Sequence, residues 1–114
     1  MQTDVTIKLE TGLKLFAVRI EDFVEGVGQA PVIPNVDTRM YQLEQLLEKA
    51  DKIRNIAALL IGLSEEIRRR YSSDRHIVLR CERLLYELDG LRVKFDGACS
   101  TLEQTRRLVL DGMN

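Results

Sequence analysis

The sequence predicts an all-α protein, an elongated antiparallel three-helix bundle with coiled-coil-like packing. In three long segments, apolar residues recur at alternating spacings of three and four, which places them on one face of a helix. Only two prolines occur, Pro31 and Pro34, and both fall in one short segment. Alternation of apolar and polar residues with a period of two, which half-buried strands show, is almost absent. These observations favour helices throughout.

The first helix is predicted over about residues 4–25, with Asp4 as its N-cap. Gly26 and Gly28, followed by the two prolines, predict the end of this helix and a loop of about ten residues. Its predicted buried stripe is Leu9, Leu13, Phe16, Ile20, Phe23 and Val27.

The second helix is predicted over about residues 38–71, with Asp37 as its N-cap. This length is more than twice that of an ordinary globular helix, which is typical of coiled coils and elongated bundles. Its predicted stripe is Met40, Leu43, Leu47, Ala50, Ile53, Ala57, Leu60, Leu63, Ile67 and Tyr71. Ile56, Ile61 and Leu84 add apolar surface beside the stripes of the second and third helices.

The third helix is predicted over about residues 74–111, capped by Ser73 or Asp74 after a tight break. Its predicted stripe is Val78, Cys81, Leu85, Leu88, Arg92, Phe95, Cys99, Leu102, Arg106, Val109 and Met113. The unbroken phase favours one helix, whereas Gly97 and the capping box that begins at Ser100 would allow a break there. Two arginines in the stripe predict that the C-terminal half either frays or meets an acidic partner.

Length and net charge limit the classes of protein to which the chain can belong. The 114 residues suit one helical domain over 1–114. The 17 basic and 18 acidic residues give a net charge of −1, which does not favour nucleic-acid binding. No segment is apolar enough to span a membrane, and no secretory signal is recognisable, so we expect a soluble cytoplasmic protein.

Catalytic and metal-binding patterns are not recognisable. Cys81 and Cys99 are expected to be free thiols, and with His76 as the only histidine they do not predict a zinc site. No cofactor is predicted. No nucleotide-binding or hydrolase motif occurs, and the acidic residues Glu82, Glu87 and Asp89 are expected on a solvated helix face. We therefore predict that the chain is not an enzyme.

The densest charge feature is a cluster of arginines at one end of the predicted hairpin. It comprises Arg68, Arg69, Arg70, Arg75, Arg80 and Arg83. Arginines bind phosphates and carboxylates through bidentate contacts, so the cluster could bind an acidic partner. The alternative is ordinary pairing along the helix, because Glu65 and Glu66 lie three to four residues before the first arginines.

Two resemblances add expectations. The segments LLYELDGL at 84–91 and RRLV at 106–109 resemble BAG domains, three-helix bundles that act as Hsp70 nucleotide-exchange cofactors. That resemblance implies that Asp89, with Arg106 or Arg107, contacts the chaperone's ATPase domain. More loosely, RIEDFVEG at 19–26 and the long periodic helix after Val36 resemble the smallest shoulder subunits of dynactin, which are elongated helical proteins.

The sequence therefore favours a non-enzymatic helical interaction module, a structural or adaptor subunit that packs against partner helices in a larger complex. One alternative is a BAG-like co-chaperone that promotes nucleotide exchange on Hsp70. Another is an adaptor whose arginine-rich end binds phosphate or acidic partners. Homo-oligomerisation through the surplus apolar surface is also open.

Overall fold

The computed structural model describes residues 4–112, which form three long helices joined by short connections. Helix α1 spans Asp4–Gln29, α2 spans Val36–Arg70 and α3 spans Arg75–Gly112. Each helix packs against both others, and the described residues contain no strand. The molecule measures 60 × 19 × 16 Å. The predicted all-α, elongated three-helix bundle is confirmed.

One continuous hydrophobic core runs along the bundle axis. All six apolar residues predicted for the α1 stripe are buried, and Phe16 and Ile20 have no exposed surface. Most residues predicted for the α2 stripe are buried. Leu47 is only half-buried, and its neighbour Leu46 is buried in its place. Met40, Leu63 and Tyr71 pack against the core from its edge.

Helix α1 continues through Gly26 and Gly28 to Gln29, so the predicted end near residue 25 is wrong. No described glycine has a positive φ angle, which a helix-ending glycine would adopt. A short 3-10 helix, Ala30–Val32, follows directly and shortens the predicted loop. The glycine signal was misleading because these glycines continue the helix.

Hydrogen bonds of two side chains hold the α1–α2 connection against the start of α2. The Asn35 Oδ1 accepts a hydrogen bond from the Thr38 backbone N–H at 3.1 Å, so Asn35 is the N-cap. The predicted cap Asp37 instead lies in the first turn, where a carboxylate interacts favourably with the helix dipole. The Arg39 guanidinium donates from Nε and Nη2 to the Ile33 carbonyl at 2.8 and 2.6 Å. The Asp4 side chain lies outside the described residues.

The α2–α3 connection is the tight break that the sequence predicts. Of the two predicted caps, Asp74 is the one observed: its Oδ1 accepts from the His76 and Ile77 backbone N–H groups at 3.1 and 3.3 Å. The Tyr71 N–H still bonds to the Ile67 carbonyl at 2.9 Å, which completes the last turn of α2. The two helices therefore form an antiparallel hairpin.

Helix α3 is unbroken across Gly90 and Gly97, so the predicted alternative of a break near Gly97 is wrong. The Thr101 hydroxyl donates to the Gly97 carbonyl at 3.2 Å, a bond made inside a helix rather than at its start. The capping-box sequence after Gly97 thus does not start a new helix.

The buried stripe of α3 differs from the predicted one at every second member. The buried residues are Ile77, Cys81, Leu84, Leu88, Phe95, Ala98, Leu102, Thr105 and Val109. Val78, Leu85 and Cys99 are only half-buried. Arg92 and Arg106 are exposed, because Leu91 and Thr105 face the core at these levels. The predicted member Met113 lies outside the described residues.

An aromatic layer joins all three helices near the middle of the bundle. The Phe23 ring of α1 meets the Phe95 ring of α3 with centroids 5.2 Å apart and planes tilted by 46°. The Arg54 guanidinium of α2 lies 5.6 Å from the centroid of the Phe95 ring, a cation–π contact. Arg54 also pairs with Asp51 at 2.9 Å, which orients its guanidinium.

Two glycines let α1 approach α2 closely. A Cβ at Gly12 would lie 2.6 Å from Leu60 Cδ2, and one at Gly26 would lie 2.9 Å from Leu46 Cδ2. Real side chains do not pack at such distances, so the leucine methyls occupy space that only a glycine leaves free. By contrast, a Cβ at Gly90 or Gly97 would meet nothing within 4 Å.

Replacing Gly97 by alanine tests the continuity of α3. Because the position is helical and open, Gly97→Ala should raise the free energy of unfolding by about 0.5–1 kcal/mol. Urea denaturation followed by circular dichroism measures this free energy of unfolding. Gly112→Ala, at the end of the helix, is the control and should change it only slightly. A destabilised Gly97→Ala variant would indicate that the helix breaks there.

Adjacent leucines test the register of α3. Leu84 is buried, whereas Leu85 is half-buried at the edge of the core. We expect Leu84→Ala to cost about 2–4 kcal/mol of stability and Leu85→Ala clearly less, because less apolar surface is lost at Leu85. Chemical denaturation of the two variants compares them directly. A larger loss of stability for Leu85→Ala than for Leu84→Ala would contradict the observed register and support the stripe predicted from the sequence.

Candidate partner-binding groove

A groove of about 1020 Å³ runs between α1 and the N-terminal half of α3. Its floor is apolar and its rim is charged; we call it the α1–α3 groove. The floor residues are Leu13, Ala17, Ile77, Leu84 and Leu91, and the rim residues are Glu10, Lys14, His76, Arg80, Arg83 and Glu87. Thr6, Leu79 and Gly90 complete the lining. An apolar floor between charged rims is the arrangement by which protein grooves bind amphipathic helices.

An ion pair crosses the groove near its end. Glu10 of α1 accepts from the Arg80 guanidinium of α3, and both side chains are partly exposed. Arg80 belongs to the arginine cluster predicted from sequence, so one of its members ties two helices together. A surface pair of this kind contributes little to stability, about 0–1 kcal/mol, but it fixes which residues of the two helices face each other.

Lys14 and Arg83 lie on opposite walls of the groove, each about one turn beyond the Glu10–Arg80 pair. Neither forms an ion pair within the part of the chain that the structure describes, and both are exposed. Glu87 is also exposed and unpaired there. The rim therefore presents two cations and one carboxylate without partners.

Exposed apolar side chains continue the groove onto the outer face of α3. Leu79 is 50% exposed, Tyr86 81% and Val93 73%, and their spacing of seven residues places them on one face. This stripe is separate from the buried one and takes no part in the core. It leaves three apolar side chains exposed beside the groove.

The arginine cluster divides among different surroundings. Arg68, Arg69 and Arg70 form the exposed last turn of α2, and Arg70 pairs with Glu66 at 3.1 Å, as the alternative of pairing along the helix predicted. Arg75 begins α3. Arg80 and Arg83 lie in the groove instead. The structure thus brings together part of the predicted site and separates the rest.

The residues implied by the BAG resemblance lie on one continuous helix. Asp89 is exposed and approaches Arg92 at 4.0 Å. Arg106 and Arg107 are exposed about five turns further along α3. The structure therefore does not bring Asp89 and this arginine pair together.

Both cysteines are free thiols, as predicted. Burial raises the pKa of the Cys81 thiol, although Ser64 and Arg68 act in the opposite direction. Burial also raises the pKa of the half-buried Cys99 thiol, which accepts a hydrogen bond from Arg54 Nη2 at 3.7 Å. A raised pKa disfavours the reactive thiolate, so neither thiol is activated as a nucleophile.

Residues 4–112 contain neither a metal site nor a membrane-spanning helix. No group of three or more histidine, cysteine or acidic side chains in this range is arranged to hold a metal ion. None of the helices in this range has both the length and the apolar character needed to cross a membrane.

The groove was missed by the sequence analysis because its residues flank the buried stripes instead of forming one. Lys14 and Leu79 were not singled out, and Gly90 was considered only as a possible end of a helix. One signal was available: Leu79, Tyr86 and Val93 repeat every seven residues on a face that the core does not use. Comparison of the chain with protein-family models, curated proteins and solved structures finds no match.

The two thiols predict an order of chemical labelling. Iodoacetamide should modify Cys99 first, because Cys81 has no exposed surface. Mass spectrometry after timed labelling of the folded chain measures the order, and denatured chain should lose it. Equal rates in the folded chain would contradict the burial of Cys81.

The raised thiol pKa values also predict a pH dependence of stability. As pH rises past the ordinary value of 9.0, the unfolded chain loses thiol protons before the folded chain does. The free energy of unfolding should therefore fall between that pH and the raised pKa values. Urea titrations at several pH values should therefore show a steeper loss of stability in this range for the wild-type chain than for Cys81→Ala/Cys99→Ala, whatever their difference at lower pH.

Proposed function

We propose that the chain is a non-enzymatic helical interaction module, a structural or adaptor subunit that packs against helices of partner proteins in a larger complex. The observation that carries this proposal is the α1–α3 groove, with its apolar floor and charged rim. The exposed stripe at Leu79, Tyr86 and Val93 supports it, because a partner helix in the groove would also cover part of that stripe.

The size of the groove suits a helix. Its lining extends over residues 6–17 of α1 and 76–91 of α3, which is about three to four helical turns and long enough for a helix to lie along it. A small-molecule site of this volume would normally enclose most of its ligand, whereas this groove is open to solvent between two parallel rods. The geometry therefore favours a rod-shaped occupant.

Two features support a role without catalysis. The groove contains no cysteine, and both thiols of the chain have a raised pKa. Of the two carboxylates in the groove, Glu10 is already engaged by Arg80, which leaves it poorly placed to exchange protons with a substrate, and Glu87 is exposed on the rim. Three predictions from the sequence stay predictions: the co-chaperone alternative, the adaptor whose arginine-rich end binds phosphate or acidic partners, and the cytoplasmic location.

Affinity purification with matched variants tests the proposed function. Leu79→Asp places a charge in the groove, whereas Leu59→Asp places one at an exposed leucine of α2. Partners bound through the groove should be lost from the first variant and retained by the second. Their contact should then be confirmed by cross-linking the purified proteins. If no partner depends on Leu79, the proposed function is wrong.

A further inference from the structure

Resting on the function just proposed, we propose that the α1–α3 groove selects an amphipathic partner helix that carries a carboxylate beside its apolar stripe. The apolar side chains of that helix pack on the floor, and the carboxylate binds between Lys14 and Arg83. The partner is thus defined by chemistry: a helix with a leucine-rich face and an Asp or Glu at its edge.

The register of the helices places these two cations together. Helices α1 and α3 run in the same direction, because each is antiparallel to α2. The Glu10–Arg80 pair sets residues 10 and 80 at the same level. Lys14 and Arg83 follow by about one turn each, so they face each other across the groove.

The charges on the rim favour a carboxylate over a cation. Arg80 is neutralised by Glu10, so the unpaired rim charges that remain are Lys14, Arg83 and Glu87. Arginine binds a carboxylate through two parallel hydrogen bonds, and lysine adds a second positive charge. In a partly desolvated groove, such a contact should be worth about tenfold in affinity.

Gly90 gives the partner helix room on the α3 wall. A Cβ at this position would meet nothing within 4 Å, so the side of α3 is open there. Glycine inside a helix costs stability relative to alanine, and neither a turn nor close packing within the chain requires one at Gly90. Its absent side chain lets an incoming helix approach the backbone of α3.

A second copy of the chain suits this groove less well. A two-fold interface places the same surface of both copies together. It would bring Lys14 and Arg83 of each copy into one interface, with only Glu87 of each to balance them. A partner helix that supplies its own carboxylate avoids this repulsion.

Two synthetic peptides provide the test. Both are stapled helices of about four turns with leucines at core spacing; one carries glutamate at the edges of its apolar stripe and the other carries glutamine. Fluorescence anisotropy with the full-length chain should show about tenfold tighter binding of the glutamate peptide. Equal affinity, or no binding of either peptide, overturns the proposal.

Charge variants test which residues cause the preference for the glutamate peptide. Lys14→Gln/Arg83→Gln should remove the preference for glutamate while binding of the glutamine peptide remains. The matched control, Arg19→Gln/Lys52→Gln, removes two exposed cations outside both the groove and the arginine cluster and should keep the preference. Loss of the preference in both double variants would show that it follows net charge alone, and would overturn the assignment to the groove.

A bulk variant locates the binding surface without removing a charge. Gly90→Leu fills the groove at a helical position and should abolish binding of both peptides, whereas Gly62→Leu makes the same change on α2 and should not. Circular dichroism confirms that both variants fold. Unchanged peptide binding by Gly90→Leu overturns the proposal. Light scattering adds one further outcome: a wild-type dimer that Gly90→Leu dissociates would identify the occupant as a second copy, against the proposal.

Together, these experiments test the interaction module and its selectivity for a carboxylate separately. If partners depend on Leu79 but the peptides show no preference for glutamate, the interaction module stands and the selectivity is wrong. If no partner depends on Leu79, the proposed function itself is wrong, whatever the peptides do.

Discussion

The apolar stripe of α1 is the constraint on which the bundle depends. A hairpin of two long helices can bury only one side of each, and a further helix is needed to cover the seam between α2 and α3. Helix α1 covers it with its most deeply buried side chains, among them Phe16, Ile20 and Phe23. The contact of Phe23 with Phe95, and of Phe95 with Arg54, brings a residue of each helix into one layer.

The groove follows from the same arrangement. Three parallel rods leave three outer furrows, and the side chains that flank the buried stripes decide which furrow is filled. Between α1 and α2, leucine methyls reach into the space left by Gly12 and Gly26, so these helices meet closely. Between α1 and α3, the flanking residues are long and charged, and they extend to solvent above an apolar floor. The result is one furrow that a further helix could fill.

Much of the fold was predictable, because a period of three and four fixes a helix face over many turns. The α1 stripe was correct throughout. The α3 stripe was half wrong, because neighbouring apolar residues such as Leu84 and Leu85 allow two phases with identical spacing, and only the packing of the other helices selects one. Gly26 was wrongly predicted to end α1, and Gly97 allowed a break that α3 does not have, since sequence does not distinguish a glycine that ends a helix from one inside it. The groove could not be predicted because Lys14 and Arg83 come to line one groove only through the packing of α1 against α3.

The glycine pair of α1 has a consequence for how the groove could change over time. Gly12 and Gly26 lie on the side of α1 that faces α2, away from any occupant of the groove. A methyl group at either position would have to displace a leucine or push α1 away from α2, towards α3. The width of the groove is thus tied to residues that never touch a ligand. Descendants of this sequence could shift their choice of partner by drift at two half-buried positions, while every rim residue stayed the same.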